Sequence, residues 1–298
     1  MIHSKRDRLI GMSIVIPCFI LLCIFVYGFI GWTMAVSFSS WDGVLPNWDF
    51  AGFKNYVTLF STERFQIDLF NTVFFSILFL GFCVAFGFTL ALLLDRVTKG
   101  EAIFRNIFLF PLAISFVVTG VVWRWVFNPT VGINSLIKQT LGINLTWGWY
   151  TDYRSFAGFH VALIPVVIAA GWQLVGYIMA MVLAGLRAIP NEIFESAAID
   201  GADEFKKITH IIIPLLKPIL LSALIVLGHI SLKIFDLVFT MTGSGPAFAT
   251  DFPGIFMFQT TFDGHHYAEG AGISIVMLLL VALAIIPYLY STFKKEKK

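Results

Sequence analysis

Six stretches of about twenty residues or more are nearly free of charge, and polar segments separate them. They run Leu9–Phe38, Phe70–Leu94, Ile107–Phe127, Phe159–Leu186, Ile219–Met241 and Gly272–Tyr290. A helix crossing bilayer hydrocarbon needs about 20 mostly apolar residues, so each stretch predicts one spanning helix. The first follows Lys5, Arg6 and Arg8 and contains Ala35-Val36-Ser37, which together resemble a signal peptide. A signal core is only about 7–15 residues long, so this run reads as a retained first span. The expected fold is an all-α membrane protein: an N-terminal stretch 1–8, then one transmembrane domain over 9–298.

Composition agrees. The 298 residues are 58% hydrophobic and 13% charged, against about 25% charged in soluble chains. The net charge of +2 gives no reason to expect nucleic acid. Basic residues fall on one side of the predicted spans: Lys5, Arg6, Arg8; Arg96, Lys99, Arg105; Arg187, Lys206, Lys207, Lys217; Lys294, Lys295, Lys297 and Lys298. Only Lys54, Arg64, Lys138 and Arg154 fall in loops on the other. Lys and Arg accumulate in cytoplasmic loops, which puts both termini in the cytoplasm. Trp32, Trp41, Trp48, Trp123, Trp125, Trp147 and Trp149 cluster toward the opposite interface, and Trp172 sits near mid-membrane. Cys18, Cys23 and Cys83 all lie in apolar runs and read as small buried hydrophobes. His265 and His266 have no further ligand nearby, so no metal site is expected.

The loop between spans four and five, residues 187–218, carries the most information. Pro190 ends span four, Asn191 suits an N-cap and Glu192 suits a helix N-terminus. Ile193, Phe194, Ala197 and Ala198 share a face, and Gly201 suits a C-cap. A second short helix carries Phe205, Ile208 and Ile212 beside Lys206 and Lys207. Pro214 and Pro218 are then expected to turn the chain back into the membrane. The first helix could enter a groove on a partner or lie on the bilayer surface.

Glu195-Ser196-Ala197, Gly201 and Ile211-Ile212-Ile213-Pro214 resemble the coupling loop of permease subunits of bacterial ABC importers. That pattern is Glu-Ala-Ala, three residues, Gly, nine residues, Ile-x-Leu-Pro. Ser196 and Ile213 depart from it conservatively. Ile199-Asp200-Gly201-Ala202, Phe235-Asp236-Leu237, Thr242-Gly243-Ser244-Gly245-Pro246, Phe127-Asn128-Pro129 and Phe53-Lys54-Asn55-Tyr56 are similar to the carbohydrate branch, in particular its maltose and glycerol-phosphate permeases. The resemblance implies a type I ABC importer permease fold in a bacterial or archaeal inner membrane. It implies a second, different permease, two ATPase subunits and an extracytoplasmic solute-binding protein as partners. The chain has no P-loop of its own. It is therefore expected to be no enzyme and to bind no cofactor, ATP being hydrolysed by the partner. Glu195, Ser196, Ala197, Asp200 and Gly201 would couple to the ATPase, with Pro214 as a pivot.

Polar groups inside spans are costly and mark either helix contacts or solute pathways. In span five, His229, Lys233 and Asp236 are expected on one helix face, where Lys233 and Asp236 would partly neutralise each other. Ser231 lies nearby, off that stripe. Span four offers Trp172, Gln173 and Tyr177, an aromatic and hydrogen-bonding set that suits a sugar. The same importer class could carry a non-sugar solute such as glycerol phosphate. An ion-coupled transporter would use Lys233 and Asp236 instead, and would usually show paired internal repeats, which are not visible here.

Overall fold

The computed structural model describes residues 5–97, 99–156 and 158–296. In chain order the helices are α1 (Lys5–Leu22), α2 (Phe29–Ser37), α3 (Lys54–Ser61), α4 (Glu63–Asp95), α5 (Glu101–Leu109), α6 (Phe116–Val126) and α7 (Ile133–Leu141). A two-stranded hairpin follows, β1 (Ser155–Phe156) antiparallel to β2 (Phe159–His160). Then come α8 (Leu163–Arg187), α9 (Asn191–Ile199), α10 (Glu204–Lys207), α11 (Ile213–Leu232), α12 (Asp236–Met241), α13 (Pro253–Phe258) and α14 (Tyr267–Glu296). Among the described residues, five helices are long and apolar enough to cross a membrane: Met12–Ser37, Glu63–Asp95, Leu163–Arg187, Glu204–Leu232 and Tyr267–Ile286. A sixth span exists if the bent pair Glu101–Ala113 and Phe116–Val126 counts as one.

Two of the expected spans are broken. The third turns through 101° between its halves. Pro111 leads a short 3₁₀ turn, Ile114 and Ser115 are extended, and the Ser115 side chain caps α6 by accepting from the Val118 N–H. The fifth stops at Leu232 and resumes at Asp236, because Lys233 and Phe235 leave helical geometry. At its other end this span begins earlier than expected. Pro214 and Pro218 do not turn the chain: α10, a π-turn over Ile208–Ile212 and α11 form one continuous apolar helix, Glu204–Leu232. Proline removes one ladder hydrogen bond and crowds the preceding turn. The wider π-turn directly before Pro214 gives that turn room.

The chain groups into two compact units, 1–62 with 256–279, and 63–255 with 280–298. In the first, the Asn55 amide donates to the carbonyls of Ser37 and Ser39, both at 2.9 Å, and Tyr56 hydrogen-bonds Ser37 at 2.7 Å. The Phe53–Tyr56 stretch thereby closes the end of α2. Trp41 meets Tyr267, and His266 lies 2.5 Å from Asp42. In the second unit, α8 is the most buried span and packs along α4. Glycines set the close approaches. A Cβ on Gly87 would sit 2.7 Å from Ile178, one on Gly171 2.4 Å from the Phe82 ring, and one on Gly176 1.9 Å from the Phe108 carbonyl. Of the three cysteines only Cys83 is buried; Cys18 is exposed and Cys23 half-exposed. The side chains around Cys18 on α1 point outward, and a thiol facing lipid loses nothing by it.

Candidate functional site

The loop after α8 folds as one short helix and a tight turn. Pro190, with extended ψ, occupies the N-cap position, so Asn191 is the first helical residue rather than the cap. Proline suits a helix start because its missing N–H is not needed there. Phe194 is half-buried and Ala197 buried, whereas Ile193 and Ala198 face outward. The inward stripe is therefore narrower than the four-residue face expected. Ser196 donates to the Glu192 carbonyl at 2.8 Å, so its hydroxyl is satisfied within the helix. Glu195, Ser196, Ile199 and Asp200 point away from the core.

Gly201 takes φ +75°, as a C-terminal glycine should. The Ala202 N–H donates to the Ala197 carbonyl at 2.9 Å and the Gly201 N–H to Ala198 at 3.1 Å. This pair of bonds is the Schellman arrangement, which satisfies carbonyls the helix end would otherwise orphan. Asp203 then caps α10, accepting from the Lys206 N–H at 2.8 Å. Ile199 is 87% and Phe205 74% exposed. The Gly201 turn thus carries two large apolar side chains outward beside Glu195. Phe205 and Ile212 were expected on one side of a helix; Ile212 is buried and Phe205 is not.

An ionic network surrounds this loop. Arg96, just past α4, pairs with Glu204 of α10 at 2.5 Å, and Lys207 pairs with Glu204 at 3.1 Å. Arg187, the last residue of α8, pairs with Glu101 of α5 at 2.7 Å and with Asp95 of α4 at 3.8 Å. Between them lies a cleft of about 410 Å³, with Phe194, Ile189, Ile208 and Ile212 among its lining residues. Sequence reasoning missed both the network and the Asp203 cap. Asp203 standing three residues before Lys206, at a helix start, was a readable signal; partners 108 positions apart, as Arg96 and Glu204 are, leave none.

The polar residues expected inside spans do not converge. Gln173 is buried, and its amide donates to the Ile114 carbonyl at 2.6 Å. It fills the hydrogen bond that the bend in span three leaves open. Ser231 is buried and receives a hydrogen bond from Ser76 at 2.8 Å. Trp172 is 38% exposed and meets Trp123 edge-on at 5.8 Å. Tyr177 is half-buried in the packed face of α8. Lys233 and Asp236 are both exposed, and among the described residues no ion pair joins them. Because the helix breaks between them, they do not share a face. Lys233 instead closes the C-terminus of α11 and Asp236 opens α12, where each charge complements its helix dipole.

At the end of the spans opposite the loop 187–218, a second polar cluster joins α4 to the segment before α13. Arg64 holds Asp251 at 2.6 Å and lies over the Phe248 ring. Asn71 donates to the carbonyls of Phe248 and Asp251, each at 3.0 Å, and meets His160 at 3.1 Å. Burial lowers the pKa of His160 below the ordinary histidine value. Gly243 and Gly245 supply positive φ for the turn that delivers Asp251. Asn134 similarly pins Trp147 and Trp149 beyond α6, by 2.8 Å bonds to the carbonyl of the first and from the indole of the second.

The chain belongs to the family of binding-protein-dependent transport system inner membrane components, whose model matches residues 83–295. It is 37% identical to a probable ABC transporter permease protein of Pyrococcus horikoshii, over 95% of each chain. It is 34% identical to a xylose/arabinose import permease protein of Haloferax volcanii, over 93% of this chain and 86% of the relative. In fold it matches a bacterial ABC transporter involved in import of the acidic polysaccharide alginate, with a TM-score of 0.78, 23% identity, and coverage of 98% of this chain and 96% of that one. The fold is that of an ABC importer permease.

Proposed function

We propose that this chain is the permease subunit of an ATP-driven importer that moves a sugar delivered by an extracytoplasmic binding protein. It works beside a second, different permease and above two ATPase subunits that hydrolyse the ATP; the chain itself binds no cofactor. The Lys/Arg-rich side, with both termini, is cytoplasmic. The observation that carries the reading is the outward display of Ile199 and Phe205 beside Glu195, held by the Gly201 turn. Large apolar side chains left in water at the edge of a short rigid helix mark a docking surface. Glu195, Ser196, Ala197, Asp200 and Gly201 form the contact or its frame, and Pro214 stands at the π-turn where the docking segment becomes a span.

On this reading Trp172 offers an aromatic face to the solute, and Lys233 and Asp236 flank the path at the break in span five. Gln173 and Ser231 keep the broken helices in place. The experiment is reconstitution with a partner permease and ATPases in liposomes, measuring solute-stimulated ATP hydrolysis. Gly201→Val forces a β-branched residue into left-handed geometry, which costs about 1–2 kcal/mol, and stimulation should be lost. Full stimulation with Gly201→Val and Glu195→Lys alike would overturn the reading.

An anionic solute such as glycerol phosphate is a second reading, favoured by the exposed Lys233 at the break. Lys233→Gln then raises the solute concentration for half-maximal uptake of an anionic solute and leaves a neutral sugar unaffected.

A further inference from the structure

We propose that Arg96, Glu204 and Arg187 are positioning residues that clamp the docking loop to the ends of three spans, so that motion of the loop reaches the spans. The inference deepens the importer reading and rests on it. Glu204 is gripped by two cations, Arg96 and Lys207, at 2.5 and 3.1 Å. Arg187 is gripped by two carboxylates, Glu101 and Asp95, at 2.7 and 3.8 Å. The two triads meet at the adjacent residues Asp95 and Arg96. In this way α4, α5, α8 and α10 are tied around the base of α9.

The clamp is needed because covalent structure alone holds the loop loosely. α9 joins α8 through the turn at Ala188–Pro190 and α10 through the turn at Asp200–Asp203. Of its side chains only Ala197 is buried, and Phe194 lines a cleft of about 410 Å³. A push on α9 could collapse that cleft instead of moving the spans. Asp95, Arg96, Arg187, Glu204 and Lys207 line the cleft, and the ion pairs among them resist this. Arg96 and Glu204 are each 63% exposed, and a lone exposed pair contributes little; connected pairs with shared members are the exception.

The test uses the assembled importer in liposomes. Arg96→Glu and Glu204→Arg are each expected to lower solute moved per ATP hydrolysed about fivefold, roughly the population shift for the loss of 1 kcal/mol. The double swap re-forms the pair between positions 96 and 204 but sets Lys207 against a cation, and is expected to restore the ratio in part. High salt should weaken coupling in the unaltered complex and have no further effect in the single variants. Melting temperature and subunit assembly are measured alongside. If the single swaps do not assemble, Glu204→Gln removes only the charge: a lowered ratio supports the clamp and an unchanged one overturns it. An unchanged ratio in assembled single swaps, or a double swap that assembles but stays uncoupled, also overturns it. An unaltered complex without ATP-dependent uptake overturns the importer reading and the clamp with it.

Discussion

Several side chains here do work that their residue type does not announce. Gln173 suits a sugar contact by chemistry, yet its amide closes the bend at Ile114. Gln173→Leu leaves that carbonyl without a donor, at a cost of about 1–3 kcal/mol. We expect a lower melting temperature for the purified complex, with an unchanged concentration for half-maximal uptake; a shift in the latter alone would make Gln173 a solute contact after all. Gly120 is a second case. A Cβ there would meet the Thr240 hydroxyl at 2.0 Å and the Leu237 carbonyl at 2.7 Å, so Gly120→Val should separate α6 from α12. Overpacking of this kind costs about 1–3 kcal/mol, visible as lost expression or lowered melting. The sequence announced Gly201 clearly, because a glycine after an amphipathic turn is the usual left-handed C-terminal residue of a helix. It was silent on Gly120 and Gln173, whose partners lie 120 and 59 positions away.

At the scale of elements, apolar run length located the spans well and their ends poorly. The helix α4 starts at Glu63, seven residues before the expected Phe70, and its first turns carry the half-buried Arg64 and the buried Asp68. Hydropathy cannot see a helix whose polar residues are buried by neighbours. The breaks in spans three and five were hidden for a related reason. Pro111 sits inside an apolar run, and Lys233–Phe235 looks helical by periodicity alone. The Gly243–Ser244 turn accepts hydrogen bonds from Thr250 and Asn71 donates to the Asp251 carbonyl, which together anchor the segment before α13. Asp251→Asn removes the charge that Arg64 holds. It should destabilise this end of the protein, read as faster amide exchange over residues 242–253 with little change at 191–207.

For the whole molecule, long apolar faces remain uncovered. Over Met12–Ser37 nearly all large side chains point outward, Phe19, Phe25, Tyr27 and Trp32 among them. Lipid covers such faces as well as a protein does, so exposure alone does not fix the assembly. The importer reading does: the chain expressed with its partner permease should co-purify as an unlike pair, and expressed alone it should be recovered in lower yield. A like pair with full transport activity would contradict it.

The helix from Glu204 to Leu232 carries one more consequence. Its start adjoins the loop that carries Gly201 and its end borders the break in span five, so both ends belong to one continuous helix with a π-turn at Ile208–Ile212. At about 1.5 Å per residue it is near 43 Å long, more than the roughly 30 Å of hydrocarbon it crosses. Each residue also advances the screw by about 100°. The azimuth of Phe205 is thereby geared to that of Leu232, the last residue before the break, and the gear tooth is a single residue. One alanine inserted near Leu220 would leave composition and hydropathy almost untouched, yet turn one end away from its partners. Insertion of seven, about two whole turns, should recover more function than insertion of one.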